Sequence, residues 1–206
     1  MGKTRTGQKY VVKDAYYHEA KSRGFVARSA LKLEELDRKH HLYRKGMKIL
    51  DLGCAPGSWL QYASRKVGPE GKLLGIDLEP VRVSEKNVKT IVGDLLEFKP
   101  ENEDLSTILP VDLIQSDAMT KTTGIPDSDC ARSLSLVEYG LWLAERGVLA
   151  PDGTFIAKVF EGPGFTPFYV AFKRKFRKCS VNKPEAIRKG SREIYIVGQG
   201  FRPGHA

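Results

Sequence analysis

Asp51-Leu-Gly-Cys-Ala-Pro-Gly-Ser-Trp59 stands where an apolar, strand-like run ends and a helical pattern begins. In an open α/β sheet, ligands bind in the crevice at the carboxyl ends of the strands, so this loop is where a cofactor should lie. Gly53 and Gly57 allow the backbone to turn tightly and to approach a ligand without an intervening Cβ. Their Gly-x-x-x-Gly spacing matches neither the dinucleotide fingerprint nor the phosphate loop, which disfavours a phosphate-rich cofactor. A tight turn without a ligand remains the alternative at this point.

Around this loop, short β-rich runs alternate with helical stretches, which predicts a doubly wound α/β fold with a mostly parallel sheet and helices on both faces. The predicted strands are residues 48–54, 72–78, 88–94, 111–117, 153–160, 179–181 and 193–198. The predicted helices are residues 29–37, 58–67, 128–149 and 166–178. The 206 residues suit one domain, and residues 1–15 are expected to be a flexible basic arm.

Two aspartates close the second and third predicted strands. Asp77 ends Leu-Leu-Gly-Ile-Asp, where a carboxylate can accept hydrogen bonds from two ribose hydroxyls. Asp94 ends Ile-Val-Gly-Asp, where it can accept a hydrogen bond from an adenine amino group. Either one alone could be a helix cap, but three successive strand ends that converge at one edge indicate an adenosine site.

The charge of +9 is divided unevenly along the chain. Residues 1–48 hold 13 Lys/Arg against 5 Asp/Glu, residues 49–165 hold 11 against 18, and residues 166–206 hold 10 against 2. Basic ends that fold onto one face of an acidic middle would form a surface for a polyanion, so nucleic acid is the expected partner. The alternative is that both ends are solvated tails.

Metal, membrane and export signals are absent from the sequence. Cys54, Cys130 and Cys179 lie far apart without partners at zinc spacing, and the four histidines form no ligand pattern. The His40-His41 pair is expected to be a helix end in solvent. No run reaches the roughly 20 apolar residues of a membrane span, and the first residues show no secretory signal. We therefore expect no metal, no membrane contact and a cytoplasmic protein, acting as a monomer.

Four further segments carry charged residues in apolar surroundings: Arg28-Ser-Ala-Leu-Lys-Leu, Val111-Asp-Leu-Ile-Gln-Ser-Asp117, Phe155-Ile-Ala-Lys-Val-Phe160 and Ser191-Arg-Glu-Ile-Tyr-Ile-Val197. With the glycine loop, they resemble the RrmJ (FtsJ) type of ribose 2′-O-methyltransferases over about residues 17–201. The resemblance implies a Rossmann-like fold, S-adenosylmethionine as cofactor, and a catalytic Lys-Asp-Lys-Glu tetrad. That tetrad falls on Lys32, Asp117, Lys158 and Glu193. The cofactor-binding residues would be Gly53, Ala55, Pro56, Gly57, Trp59, Asp77, Asp94 and Asp117.

The chemistry of such a reaction explains these residue types. A ribose hydroxyl is a poor nucleophile, so the enzyme must align it with the methyl group and remove one proton. Lys158 is the candidate proton acceptor, which requires its neutral amine; burial beside Lys32 and the sulfonium would favour that form. The carboxylates of Asp117 and Glu193 would instead favour the charged amines, so their main role would be to orient them. Taken without the resemblance, Lys32 would be read as solvent-facing, and Glu193 as a partner of Arg192 or the start of an edge strand.

The resemblance also implies the substrate, a uridine in large-subunit ribosomal RNA, within a ribosomal particle. Basic and tyrosine residues between Lys3 and Arg28 could bind RNA, and the segments 173–178 and 183–192 would extend this surface near Glu193. One segment departs from the family. Members commonly have Asp-Met-Ala-Pro-Asn, but the sequence here is Asp117-Ala-Met-Thr-Lys-Thr-Thr-Gly124. Because the tetrad indicates the reaction and not the RNA, methylation of transfer RNA stays open. Two further alternatives are a non-catalytic RNA-binding protein and a methyltransferase for a small molecule or protein.

Overall fold

The central strands form where apolar residues run continuously, because helices cover the sheet on both faces. The computed structural model describes residues 7–81, 83–119, 123–187 and 190–204, with side chains from residue 15 onward. Within this part of the chain, seven strands form one sheet in the order β3-β2-β1-β4-β5-β7-β6. They are β1 (Lys48–Leu52), β2 (Lys72–Asp77), β3 (Val88–Val92), β4 (Val111–Ser116), β5 (Leu149–Phe160), β6 (Phe176–Asn182) and β7 (Glu193–Phe201).

The direction of the strands decides which residues meet at one edge. Strands β1 to β5 are parallel to one another, whereas β7 runs antiparallel to both of its neighbours, β5 and β6. The amino end of β7 therefore lies at the carboxyl end of β5, where Glu193 pairs with Phe160. The predicted mostly parallel, seven-stranded sheet is confirmed.

Helices cover both faces of the sheet, as predicted. They are α1 (Gly7–Ser22), α2 (Ser29–His40), α3 (Ser58–Val67), α4 (Glu103–Ser106), α5 (Pro126–Leu143) and α6 (Phe165–Arg174). Leucines and aromatic residues of α2 and α3 form one buried cluster with one face of the sheet. Apolar side chains of α5 and α6 form a second cluster with the other face. The faces are distinct, and the polar residues described below lie on the α2–α3 face.

Several predicted boundaries were wrong. The helix predicted over 128–149 ends at Leu143 in a tight turn with Gly147 at φ 84°, and β5 begins already at Leu149. Residues 150–153 form an irregularity inside this strand, because Val111 pairs with Leu149 while Leu113 pairs with Thr154. The last predicted helix stops at Arg174, since Phe176 is buried in the sheet and starts β6.

Residues 1–15 were predicted to be a flexible basic arm, and their flexibility stays a prediction. Helix α1 begins at Gly7 and continues to Ser22, while residues 1–6 lie outside the described part. No proline and no further glycine interrupts residues 8–22, so a helix is compatible with this sequence despite its charge.

The end of α2 also differs from its predicted exposure. The helix does end at His40, and His41 has the left-handed conformation of a helix terminus. However, His40 is buried, and its Nε2 lies 2.9 Å from Oδ1 of Asn182. Burial lowers the pKa of His40, which favours the neutral ring. A polar contact thus joins α2 to the edge strand β6.

Asn182 holds this junction together. Its Oδ1 also accepts a hydrogen bond from Lys39 Nζ at 2.8 Å, and its Nδ2 donates to Ser180 Oγ at 3.0 Å. Asn182 pairs with Tyr195 in the neighbouring strand. The side chain therefore ties α2, which carries Lys32, to β7, which carries Glu193.

We expect Asn182→Ala to lower the free energy of unfolding by about 2 kcal/mol, because a buried histidine loses its partner. Urea unfolding of both proteins measures this difference. Val181→Thr is the matched control, since Val181 is exposed on the same strand and should change stability by less than about 0.5 kcal/mol. Equal effects of the two substitutions would contradict a role for the Asn182 contacts.

Candidate active site

The glycine loop lies against the segment that follows β4. Gly53 has φ 76° and Gly57 has φ 104°, both in the region that favours glycine. A Cβ at Gly53 would lie 2.4 Å from the Cβ of Ala118, so only glycine allows this approach. The loop is thereby placed directly beside Asp117.

Trp59 occupies the first turn of α3, but its side chain is buried. The indole Nε1 donates a hydrogen bond to the carbonyl oxygen of Ser29 in α2 at 3.0 Å. The indole therefore joins α3 to α2. What Trp59 can offer a cofactor is its backbone N–H, because the first N–H groups of a helix have no partner within the helix.

The two strand-end aspartates are adjacent, because β2 pairs with β3. Asp77 accepts hydrogen bonds from the backbone N–H of Ala55 at 2.8 Å and of Glu79 at 2.9 Å, which fixes the glycine loop to the end of β2. Asp94 accepts from the N–H of Leu96 at 2.8 Å and caps a short turn. Each carboxylate keeps further lone pairs for a ligand.

Two exposed leucines accompany these carboxylates and were not predicted. Leu78 is 68% exposed and follows Asp77, and Leu96 is 46% exposed and lies two residues beyond Asp94. Exposed apolar side chains next to hydrogen-bond acceptors suit a flat, polar-edged ring such as adenine. The residues at this edge of the sheet therefore fit an adenosine-containing cofactor.

The four tetrad residues come together in two ion pairs. Lys158 Nζ lies 3.1 Å from Asp117 Oδ1 and donates to the Asp117 carbonyl oxygen at 2.7 Å. Lys32 Nζ lies 2.5 Å from Glu193 Oε1. Both lysines are 8% exposed, so the solvent-facing alternative for Lys32 is wrong. Glu193 pairs with Lys32 and begins an interior strand, which rejects its other two alternatives.

Tyr195 connects the two pairs and was missed in the sequence. Its hydroxyl lies 2.8 Å from Asp117 Oδ1 and 2.9 Å from Glu193 Oε1. Tyr195 is opposite Lys158 in the sheet register, so both side chains lie on the same face. The spacing Glu193-Ile-Tyr195 was the available signal, since alternate residues of a strand share a face.

The charges of this cluster balance. Burial would raise the pKa of Glu193, but the Lys32 ammonium and its hydrogen bond hold that pKa below the ordinary value. Burial and the carboxylates of Asp117 and Glu193 raise the pKa of Tyr195 well above 10. Tyr195 therefore stays protonated, and the two carboxylates share its single O–H proton.

A family model described as FtsJ-like methyltransferase matches residues 25–201. The chain belongs to the FtsJ-like methyltransferase family. The RrmJ (FtsJ) resemblance and its Rossmann-like fold are confirmed.

Relatives of this methyltransferase match along most of their length. The "Ribosomal RNA large subunit methyltransferase E" of Desulfatibacillum aliphaticivorans is 42% identical over 98% of this chain and 97% of the relative. The protein of the same name from Bdellovibrio bacteriovorus is also 42% identical, over 92% of this chain and 97% of the relative. A crystal structure described as a ribosomal RNA methyltransferase from Plasmodium falciparum has a TM-score of 0.76 and 30% identity, covering 86% and 98% of the two chains.

The predicted basic surface of this methyltransferase is only partly at the tetrad. Glu185 lies beside α2, because its N–H donates to Glu35 Oε2 at 2.8 Å, and residues 190–192 lead directly into Glu193. The segment 173–178 is elsewhere. Phe176 pairs with Phe201, eight residues of β7 away from Glu193, or roughly 26 Å. The prediction that 173–178 lies near Glu193 is therefore wrong, because β6 starts beside the carboxyl end of β7, whereas Glu193 lies at the amino end of β7.

The amino-terminal part of that surface is less free than its sequence suggests. Arg23 forms two hydrogen bonds with the carboxylate of Glu34 at 2.6 and 2.7 Å, which offset its charge. Lys3 and Arg5 lie outside the described residues, as do Arg188 and Lys189 of the other segment. Of the departing segment after Asp117, Ala118, Met119, Thr123 and Gly124 are described. Met119 is 54% exposed, and Thr123 N–H donates to Asp129 Oδ1 at 2.7 Å.

Two expected absences can be compared with the described residues. In this part of the chain, no helix combines the length and apolarity needed to cross a membrane. Among the same residues, no group of three or more His, Cys, Asp or Glu side chains could hold a metal ion.

We expect Tyr195→Phe to reduce kcat for methyl transfer about tenfold and to change the cofactor Kd less than about threefold, because the two carboxylates lose a shared donor while the ring still packs. Tyr195 would thus be a positioning residue. Single-turnover kinetics and cofactor titration separate the two quantities. Tyr139→Phe is the control, since its hydroxyl bonds the Phe98 carbonyl away from the tetrad. A larger change in Kd than in kcat would contradict this role.

Proposed function

We propose that this protein transfers a methyl group from S-adenosylmethionine to the ribose 2′-hydroxyl of a uridine in large-subunit, 23S-type ribosomal RNA. The observation that carries the proposal is the buried tetrad beside the glycine loop, in which Lys158 is held by Asp117 and linked through Tyr195 to the Lys32–Glu193 pair. The whole chain would act as one domain and as a monomer in the cytoplasm.

The cofactor would lie at the carboxyl edge of β1 to β4. Gly53, Ala55, Pro56, Gly57 and Trp59 would surround it from the loop, while Asp77 and Asp94 would accept hydrogen bonds from its ribose and adenine. Asp117, a member of the tetrad, would also border the cofactor. When bound, S-adenosylmethionine supplies a methyl group on a cationic sulfonium, which is already a good electrophile.

Lys158 would act as the proton acceptor. As the 2′-oxygen bonds to the methyl carbon, the O–H bond of the ribose breaks and its proton passes to the neutral Nζ of Lys158. Asp117 orients this nitrogen through contacts at 2.7 and 3.1 Å. Lys32, paired with Glu193, is the second lysine of the same cluster.

Ribosomal RNA is supported as substrate by the names of the relatives and by the position of the segment 183–192 next to Glu193. A basic segment beside a catalytic cluster would hold the phosphates around an exposed ribose. The unusual loop after Asp117 would contact the target nucleotide differently from other family members.

Labelled S-adenosylmethionine tests this proposal with three substrates side by side: undermethylated large ribosomal subunits, free ribosomal RNA and total transfer RNA. We expect label in large-subunit RNA. Label found only in transfer RNA would overturn the RNA class while keeping the reaction. No transfer to any RNA despite cofactor binding would leave a non-catalytic RNA-binding protein.

A further inference from the structure

Asp51 is a buried carboxyl group that the tetrad does not use. It lies near the carboxyl end of β1, two residues before Gly53, and is fully buried. Its Oδ2 accepts a hydrogen bond from Gln115 Nε2 at 2.9 Å. Gln115 Oε1 in turn accepts one from the Tyr43 hydroxyl at 2.6 Å. Among the described residues, no group donates to the buried Oδ1 of Asp51.

The surroundings of Asp51 disfavour a negative charge. Burial is the main cause that raises the pKa of Asp51 from 3.8 to about 8. The Gln115 hydrogen bond lowers this pKa, and the carboxylates of Asp117 and Asp77 raise it. Burial also raises the pKa of Cys54 and Tyr43, so these neighbours stay neutral. The nearest tetrad cations are already paired, Lys158 with Asp117 and Lys32 with Glu193.

These contacts also locate the proton. Because Oδ2 accepts a hydrogen bond from an amide N–H, the acid proton of Asp51 belongs on Oδ1. Gln115 is itself oriented by Tyr43, which can only donate to its oxygen in this arrangement. The Gln115 and Tyr43 contacts therefore fix the orientation of the Asp51 carboxyl group at the base of the glycine loop.

We propose that Asp51 is the counter-ion of the cofactor: it is a neutral acid in the free protein and becomes a carboxylate when the sulfonium cofactor binds. This inference rests on the function proposed above. Asp51 pairs with Gly75 of β2 and Gln115 of β4, and Asp77 and Asp117, both residues of the proposed cofactor site, lie two residues beyond these partners on the same face of the sheet. A cation placed among these three groups offsets their mutual repulsion and so favours ionised Asp51.

The proton balance makes the inference measurable. The O–H bond of Asp51 breaks, its electron pair stays on the carboxylate, and the proton passes to the buffer. A group with a pKa of about 8 holds its proton in about nine of ten molecules at pH 7. Cofactor binding at pH 7 should therefore release close to one proton, and the release should decline above pH 8. Binding of S-adenosylhomocysteine, which lacks the sulfonium charge, should release fewer protons.

Isothermal titration calorimetry in buffers of different ionisation enthalpy counts these protons. We expect close to one proton per S-adenosylmethionine for the wild-type protein at pH 7 and none for Asp51→Asn. Asp104→Asn is the control, since Asp104 pairs with Lys89 outside the site and should keep the release. Lys158→Ala must also keep the proton release, because Lys158 is the other group from which the proton could come.

The outcomes separate this inference from the proposed function. Tight binding without proton release, or a release that persists in Asp51→Asn or disappears in Lys158→Ala, would overturn the role of Asp51 alone. Failure of the wild-type protein to bind the cofactor would overturn the proposed function together with it. If Asp51→Asn does not fold, the infrared carbonyl band of a protonated carboxyl in the wild-type protein decides. We expect the band to disappear on cofactor binding, and its persistence would reject the inference.

Discussion

Replacement of Lys158 by alanine is expected to lower kcat for methyl transfer by about 1,000-fold and to change the cofactor Kd less than about threefold. General bases typically contribute 10²- to 10⁴-fold, and Lys158 is the buried amine held by Asp117 at the centre of the tetrad. Cofactor binding should persist, because the glycine loop and the strand-end aspartates lie on other strands. Single-turnover methylation of RNA and a separate cofactor titration measure the two effects.

Lys158→Arg distinguishes proton acceptance from positive charge. An arginine keeps a cation that can donate to Asp117, but it cannot be deprotonated in a protein. We expect this variant to be as inactive as Lys158→Ala. An arginine variant with more than a tenth of the wild-type kcat would show that Lys158 supplies charge and is not the proton acceptor.

Gly53→Ala is expected to lower the free energy of unfolding by more than about 3 kcal/mol and to weaken cofactor binding more than tenfold. An added Cβ would lie 2.4 Å from Ala118 Cβ and 2.5 Å from its Cα, so the backbone after β4 has to move. That movement would also shift Asp117. Urea unfolding and cofactor titration of the purified variant give the two numbers.

Gly46→Ala is the matched control for this substitution. Gly46 has the same φ of 76°, but nothing lies within 4 Å of an added Cβ. Its cost should therefore be the backbone strain alone, about 1 kcal/mol. If Gly53→Ala costs no more than Gly46→Ala, the close approach between the glycine loop and Ala118 does not constrain the site.

The parts of the fold that could be predicted are those set by local pattern. Continuous apolar runs gave the parallel strands, because such runs are needed where helices cover both faces. The ends of several elements could not be predicted, since they depend on distant contacts. Phe176, for example, leaves the helical pattern because it packs in the sheet beside Phe172 and Phe201.

The site was predictable where residue type and chain position coincide. Lys158 stood out as a lysine in an apolar strand, and the aspartates stood out as strand ends. Tyr195 was missed although its alternate spacing from Glu193 was a signal, because a tyrosine in a strand is ordinary until the neighbouring Asp117 is known. The segment 173–178 was misplaced for the same reason, since its distance from Glu193 depends on the direction of β6.

Mass spectrometry of nucleosides from undermethylated large subunits, before and after incubation with the enzyme and S-adenosylmethionine, tests the central claim most directly. The tetrad around Lys158 predicts a gain of 2′-O-methyluridine in the large-subunit RNA, with the added mass on the ribose fragment. A gain of methyl groups on the base, or no gain in this RNA while another substrate is methylated, would contradict ribose methylation of ribosomal RNA.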